Sequence, residues 1–260
     1  MPFTLSHAAA AWPLRRTCLD FSALIMGCFV PDFPYFLLLW SHGFGGHTLL
    51  GMFYFDLPVG LVSLWLFHRY IKQPSLIFLP DGFRRRLKAG AFSFLPPARL
   101  ALIAISILIG SATHILWDGF THRTYWPYGH WSFLRLPVEL PILGQSVMYK
   151  LLQYISSVAG LVLVAIWIWY WYRTTEPAEH PVAQPYTTAQ RFAMVVILLL
   201  IAICSGILRA HEAIRTLHGI RPIANFTADA VITAISILVL GLLACGVFLR
   251  GRRAADYRNS

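Results

Sequence analysis

Six stretches of this chain are apolar for long enough to cross a lipid bilayer as helices, and that feature excludes most folds. A helix needs about 20 predominantly apolar residues, with a range of about 17–25, to pass through the hydrocarbon core. Runs 151–172, 192–208 and 230–249 reach that scale without a charge. Runs 20–40, 49–68 and 100–117 reach it while holding Asp32, Asp56 and His114 respectively. Only 12% of the residues are charged, about half of what a soluble domain uses to face water. The sequence therefore predicts an all-α, polytopic transmembrane bundle of about six spans, with no β-sheet.

The loops orient the bundle. Segment 69–99 carries Arg69, Lys72, Arg84, Arg85, Arg86, Lys88 and Arg99, the tail adds Arg250, Arg252, Arg253 and Arg258, and Arg15 and Arg16 precede the first span. Together with the 173–191 loop these hold fifteen of the 21 basic residues. Loops 41–48, 118–150 and 209–228 share the other six. The positive-inside rule then predicts six spans with both termini cytoplasmic in a multi-pass inner-membrane protein. The net charge of +10 is accounted for by anionic head groups, so membrane lipids, and not nucleic acid, are the expected partners. Residues 1–14 carry no Lys or Arg, and no small-residue cleavage site follows the first apolar run, which is expected to remain as an uncleaved anchor.

Two halves differ in character. Residues 1–150 form the part whose spans hold ionisable groups. Residues 151–260 supply three plain helices, a Pro- and Thr-rich cytoplasmic linker at 173–191 and a basic tail. Cys18, Cys28, Cys204 and Cys245 form no CxxC pair and read as small hydrophobes between helices. The cluster WIWYWY at 167–172 reads as an interfacial aromatic belt.

An ionisable group at membrane depth is costly to bury, so each one is a functional candidate. In GSATHILWDGFTH (110–122), His114 and Asp118 stand four residues apart on one helical face. At a helix end, that pair offers an imidazole nitrogen and a carboxylate oxygen to one divalent cation. His122 continues the series beyond Gly119, where the helix can end, and ranks below them. In SHGFGGHT (41–48) three glycines permit a tight turn flanked by His42 and His47. In VPDFPYF (30–36) Pro31 and Pro34 break a helix around Asp32, freeing carbonyls that hydrocarbon cannot satisfy. Asp56, two residues before Pro58, is a further ligand or a buried acid. On composition alone, His7 is an ordinary terminal histidine.

The blocks MPFTLSHAAAAWPL, PDFPYF, HGFGGHTLL and THILWDGFTH, in that order, resemble a bacterial membrane-protein family catalogued only as a domain of unknown function. More distantly they are similar to membrane-bound, metal-dependent hydrolases of the LexA-regulated inner-membrane type, which in turn echo zinc-dependent phospholipase C. The resemblance covers the chain to about residue 130 and implies that His7, Asp32, His47, His114 and Asp118 are metal ligands, with His42 as the first histidine of the turn. Two departures stand out. Pro34 replaces the second acid of the PD-x-D element, which removes a ligand of a second metal. The orientation above also puts His7 across the membrane from His47 and Asp118. Residues 1–14 then re-enter the membrane, or His7 lies outside the site, or the orientation is reversed.

The function this implies is a metal-dependent hydrolase, with zinc as the expected ion, acting on a phosphoester or lipid-like substrate at the membrane surface. Asp32 or Asp56 would serve as general base. Two other classes stay open. One is a proton or metal-ion transport protein whose path is lined by Asp32, Asp56 and His114. The other is a membrane scaffold whose polar residues only hold helices together.

Overall fold

The computed structural model describes residues 3–39, 46–87, 90–140, 144–178, 186–216 and 223–258. Its chain folds into two compact units. The first comprises Met1–Asp32, Gly45–Val62 and Ser93–Thr174, and the second Phe33–Phe44, Ser63–Phe92 and Thr175–Ser260.

The helices follow in the order α1 (Phe21–Phe29), α2 (Phe33–Leu38), α3 (Leu57–Leu66), α4 (Lys72–Phe78), α5 (Asp81–Arg84), α6 (Pro97–Thr121), α7 (Trp126–His130), α8 (Met148–Thr174), α9 (Thr188–Thr216) and α10 (Ile223–Arg258). Five segments are long and apolar enough to cross a membrane: Phe21–Leu38, Pro97–His130, Met148–Thr174, Thr188–Glu212 and Phe226–Gly251. They present large side chains such as Val158, Ile166, Trp169, Ile197, Leu208 and Leu240 outward, a surface that only an apolar solvent accepts. The chain is a helical membrane protein. The sixth expected span, 49–68, is helical from residue 51 but is interrupted by π-helical turns at Met52–Asp56 and Phe67–Ile71, and it is not among the five. The first of these turns has a local cause, because Pro58 has no N–H to return to the preceding turn and the ladder widens there.

In the first unit, Asp20 caps α1 by accepting the Ala23 N–H at 3.0 Å, while its own N–H donates to Ser106 Oγ of α6 at 2.9 Å. Contacts then advance together along both helices. A Cβ on Gly110 would collide with the Leu24 carbonyl and one on Gly27 with the Ile107 carbonyl, and further on His114 faces Asp32. The two helices therefore run parallel and in backbone contact, in the small-residue mode of membrane packing. Pro31 and Pro34 lack N–H donors, and between α1 and α2 the chain tightens into a 3-10 turn at Val30–Asp32.

Ahead of α1, residues Thr4–Ala11 form a 3-10 helix packed on α1 and α8. Phe3 N–H donates to Ser157 Oγ at 3.0 Å, and Gly160 leaves room for Ser6, whose carbonyl oxygen would lie 2.8 Å from a Cβ there. Ala11, Leu24 and Cys28 are fully buried where this segment meets α1.

The expectation of no β-sheet is corrected in one place. Strands β1 (Pro137–Leu140) and β2 (Gly144–Val147) form a small antiparallel pair in the register Pro137↔Val147, Val138↔Ser146, Glu139↔Gln145 and Leu140↔Gly144. Gly144 has a φ of +69°, which glycine adopts without steric cost, and β-branched Val138 and Val147 suit a strand.

In the second unit, α9 and α10 form an antiparallel pair in which Gly206 faces Ala230 and Gly241 faces Leu198. Ser236 Oγ donates to the Phe36 carbonyl of α2 at 2.9 Å. Arg191 Nη1 ties the start of α9 to the Leu79 carbonyl and to Asp81 Oδ1, each at 3.1 Å.

Candidate metal centre

Near the C-terminal end of α6 a set of nitrogen and oxygen donors converges inside the first unit. His114 is fully buried, and its Nδ1 lies 2.7 Å from the Cys28 carbonyl. A carbonyl only accepts, so Nδ1 carries the hydrogen and Nε2 presents its lone pair inward. Histidines that ligate metals are oriented and held in one tautomer by bonds of this kind. Asp118, one helical turn on, is also fully buried, and Asp32 reaches the same point from the 3-10 turn after α1. Its far oxygen, Oδ2, accepts the Thr4 hydroxyl at 2.6 Å, leaving Oδ1 turned inward.

His47 arrives from the glycine-rich turn. A Cβ on Gly46 would lie 2.7 Å from the Pro31 carbonyl, so only glycine lets this turn close against the broken helix. His47 Nε2 is 3.2 Å from Asp32 Oδ1 and 3.4 Å from Asp118 Oδ2. His114 Nε2 is 3.4 Å and 3.5 Å from the same two oxygens. One donor atom from each of Asp32, His47, His114 and Asp118 lies within 4.8 Å of the other three, an arrangement that could hold a metal ion.

The donor set fits such an ion. Ligands at bonds of about 2.0–2.2 Å around a tetrahedral zinc stand about 3.4 Å apart, which matches the four measured separations. Asp32 Oδ1, His114 Nε2 and both oxygens of Asp118 are buried, yet no hydrogen bond reaches them among the described residues. Burying two carboxylates beside these imidazoles without hydrogen bonds to satisfy the inward atoms is costly. A dication would neutralise the two carboxylates and satisfy every inward atom at once. Burial works against charge on the His47 imidazole, but Asp118 and then Asp32 outweigh it and hold its pKa above the ordinary imidazole value.

The other expected residues are also located. His7 lies in the cluster. Its Nε2 is 3.5 Å from Asp118 Oδ1, and its ring stacks on His114 with centroids 3.7 Å apart at an interplanar angle of 12°. Residues 4–11 run beside α1 and α8 to the same point, so His7 is a neighbour of the four-donor set and not a member. Asp56 is fully buried, with Oδ2 accepting the Ser111 hydroxyl and Oδ1 facing Gly46; it is a neighbour of the four-donor set and not a member. His42 lies outside the described residues. His122 stands at the rim, its side chain 25% exposed and its Nδ1 3.1 Å from the Asp118 carbonyl.

The sequence reading missed Thr4, Ser111 and the Cys28 carbonyl. In the 3-10 helix residues three apart eclipse, so Thr4 and His7 share a face.

A family model described as Domain of unknown function (DUF4184) matches residues 1–247. No curated protein and no solved structure matches the chain.

Proposed function

This chain belongs to the DUF4184 family, and we propose that it is a membrane-embedded, divalent-metal-dependent hydrolase acting on a phosphoester or lipid-like substrate. The supporting observation is the set of inward, buried donor atoms on Asp32, His47, His114 and Asp118. These four residues would hold the ion, and His7 lies beside the second oxygen of Asp118. A zinc-like ion supplies Lewis acidity toward a phosphoryl or carbonyl oxygen and toward water.

The protein's own groups do the rest. Asp32 is committed to the donor set, so the role of general base falls to Asp56. Its Oδ2 is fixed by Ser111, while no hydrogen bond reaches Oδ1 among the described residues, so Oδ1 can take a proton. His47 and His122 are the partly exposed members of the cluster and mark where substrate enters. Next to them in the chain stand exposed Leu49, Leu50 and Phe53 and exposed Arg123, and the following segment adds exposed Trp126, Trp131 and Arg135. Apolar side chains beside guanidinium groups suit a substrate with an acyl part and an anionic head. Counting the interrupted segment 49–68 as a sixth crossing, the basic loops support placing Arg15, Arg16 and the C-terminal tail on the cytoplasmic face of a bacterial inner membrane, with residues 4–11 packed on α1 and α8.

The test is hydrolysis of phosphodiester and phospholipid substrates by purified, zinc-loaded protein. Wild type is expected to turn substrate over and Asp118→Ala to lose activity. Metal binding without hydrolysis of any substrate would replace the enzyme by an ion-transport protein, and failure to bind metal would leave a scaffold.

A further inference from the structure

In the second unit, Arg69 and Arg250 approach the same tyrosine ring. Gly246 of α10 packs directly on the π turn Phe67–Ile71, where a Cβ would collide with the Tyr70 carbonyl. This contact floors a shallow crevice lined by Arg69, Gln73, Ile77, Gly246, Leu249 and Arg250. The guanidinium carbons of Arg69 and Arg250 lie 5.9 Å and 5.7 Å from the centroid of the Tyr70 ring. Arg250 Nη1 also donates to the Arg69 carbonyl at 2.9 Å, which draws the two residues together. Among the residues whose side chains are described, no carboxylate lies within ion-pair distance of either guanidinium.

Two guanidiniums beside one aromatic ring make a local excess of positive charge that attracts an anion. Guanidinium forks match phosphate oxygens in geometry and charge. The surroundings select the kind of phosphate. Arg250 ends the apolar segment Phe226–Gly251 and follows exposed Val247 and Phe248. On the facing helix, exposed Trp65 meets Tyr70 edge to face at 5.7 Å. Charged groups just beyond an apolar belt, beside Trp and Tyr, stand at head-group level.

We propose that Arg69 and Arg250 form a binding site for the phosphate of an anionic membrane lipid, whose acyl chains run along Leu249, Phe248 and Trp65. The site shares no residue with the metal centre and does not depend on the hydrolase reading.

Native mass spectrometry of the full chain, released from detergent with added phosphatidylglycerol or phosphatidylcholine, tests it. Wild type is expected to retain phosphatidylglycerol in preference to phosphatidylcholine. Each arginine near an anionic surface is worth about 1 kcal/mol, so Arg69→Gln should weaken phosphatidylglycerol binding about fivefold and the double variant Arg69→Gln/Arg250→Gln about thirtyfold. Phosphatidylcholine binding should not change in either. Arg69→Gln leaves the bond from Arg250 to the residue 69 carbonyl in place, so it decides the matter if the double variant does not fold; equal melting in lipid-free detergent confirms that its fold is kept. Equal retention of the two lipids by wild type, or unchanged phosphatidylglycerol binding by Arg69→Gln, would overturn the proposal. So would displacement of the lipid by millimolar inorganic phosphate, which would identify a free anion as the ligand.

Discussion

Thr4→Val is the most discriminating perturbation of the metal centre, because it removes one hydroxyl and almost no volume. That hydroxyl donates to Asp32 Oδ2 at 2.6 Å, in a setting where Asp32 is fully buried. Loss of a hydrogen bond to a charged group costs about 1.5–3 kcal/mol. Loss of an outer partner of a metal-ligating residue typically costs about 10–100-fold in metal affinity, which converts to about 1.4–2.7 kcal/mol. The two estimates meet. Thr4→Val should therefore bind zinc about 10–100-fold more weakly than wild type in a competition titration against a chromophoric chelator. Thr4→Ser, which restores the donor, should recover most of the loss. No charge rule or span pattern would single out a threonine four residues from the chain start, so the result reports on the placement of the N-terminal 3-10 helix. Wild-type affinity in Thr4→Val, alongside a clear loss in Asp118→Asn, would refute the reasoning.

Three further outcomes are expected. Asp56→Asn should keep zinc affinity within a few-fold of wild type while abolishing hydrolysis; parallel loss of both would make Asp56 a ligand and not the base. Gly27→Val should destabilise the protein by about 1–3 kcal/mol or more, read as a fall in melting temperature in detergent, because its side chain must displace the Ile107 backbone. Zinc affinity should fall with decreasing pH. Because His47 is held above its ordinary value of 6.5, proton competition should set in above that pH, and the onset measured by titration should move down in Asp32→Asn.

The membrane architecture was legible because apolar runs of span length have few other uses. His114 and Asp118 were legible because four residues bring two side chains to one helical face, and Asp32 because Pro31 and Pro34 mark a broken helix around it. His7 was harder. Loop charge sets the side of a span, but residues 4–11 form a 3-10 segment that turns back beside α1, and a rule based on flanking charges does not register such a turn. The Cys28 carbonyl that orients His114 comes from 86 residues away, and Ser111 meets Asp56 across 55. Pairings at that range depend on helices packing in register, which no local pattern encodes. The β1–β2 pair escaped notice because four-residue strands carry too short an alternation to stand out against apolar surroundings.

Metal content of the purified chain bears most directly on the claim that these buried groups together hold a cation. Elemental analysis after zinc loading and desalting should find about one equivalent of zinc per wild-type chain and a small fraction of that in His114→Ala and Asp118→Ala. Zinc at background in wild type, or at equal levels in wild type and both variants, would contradict it.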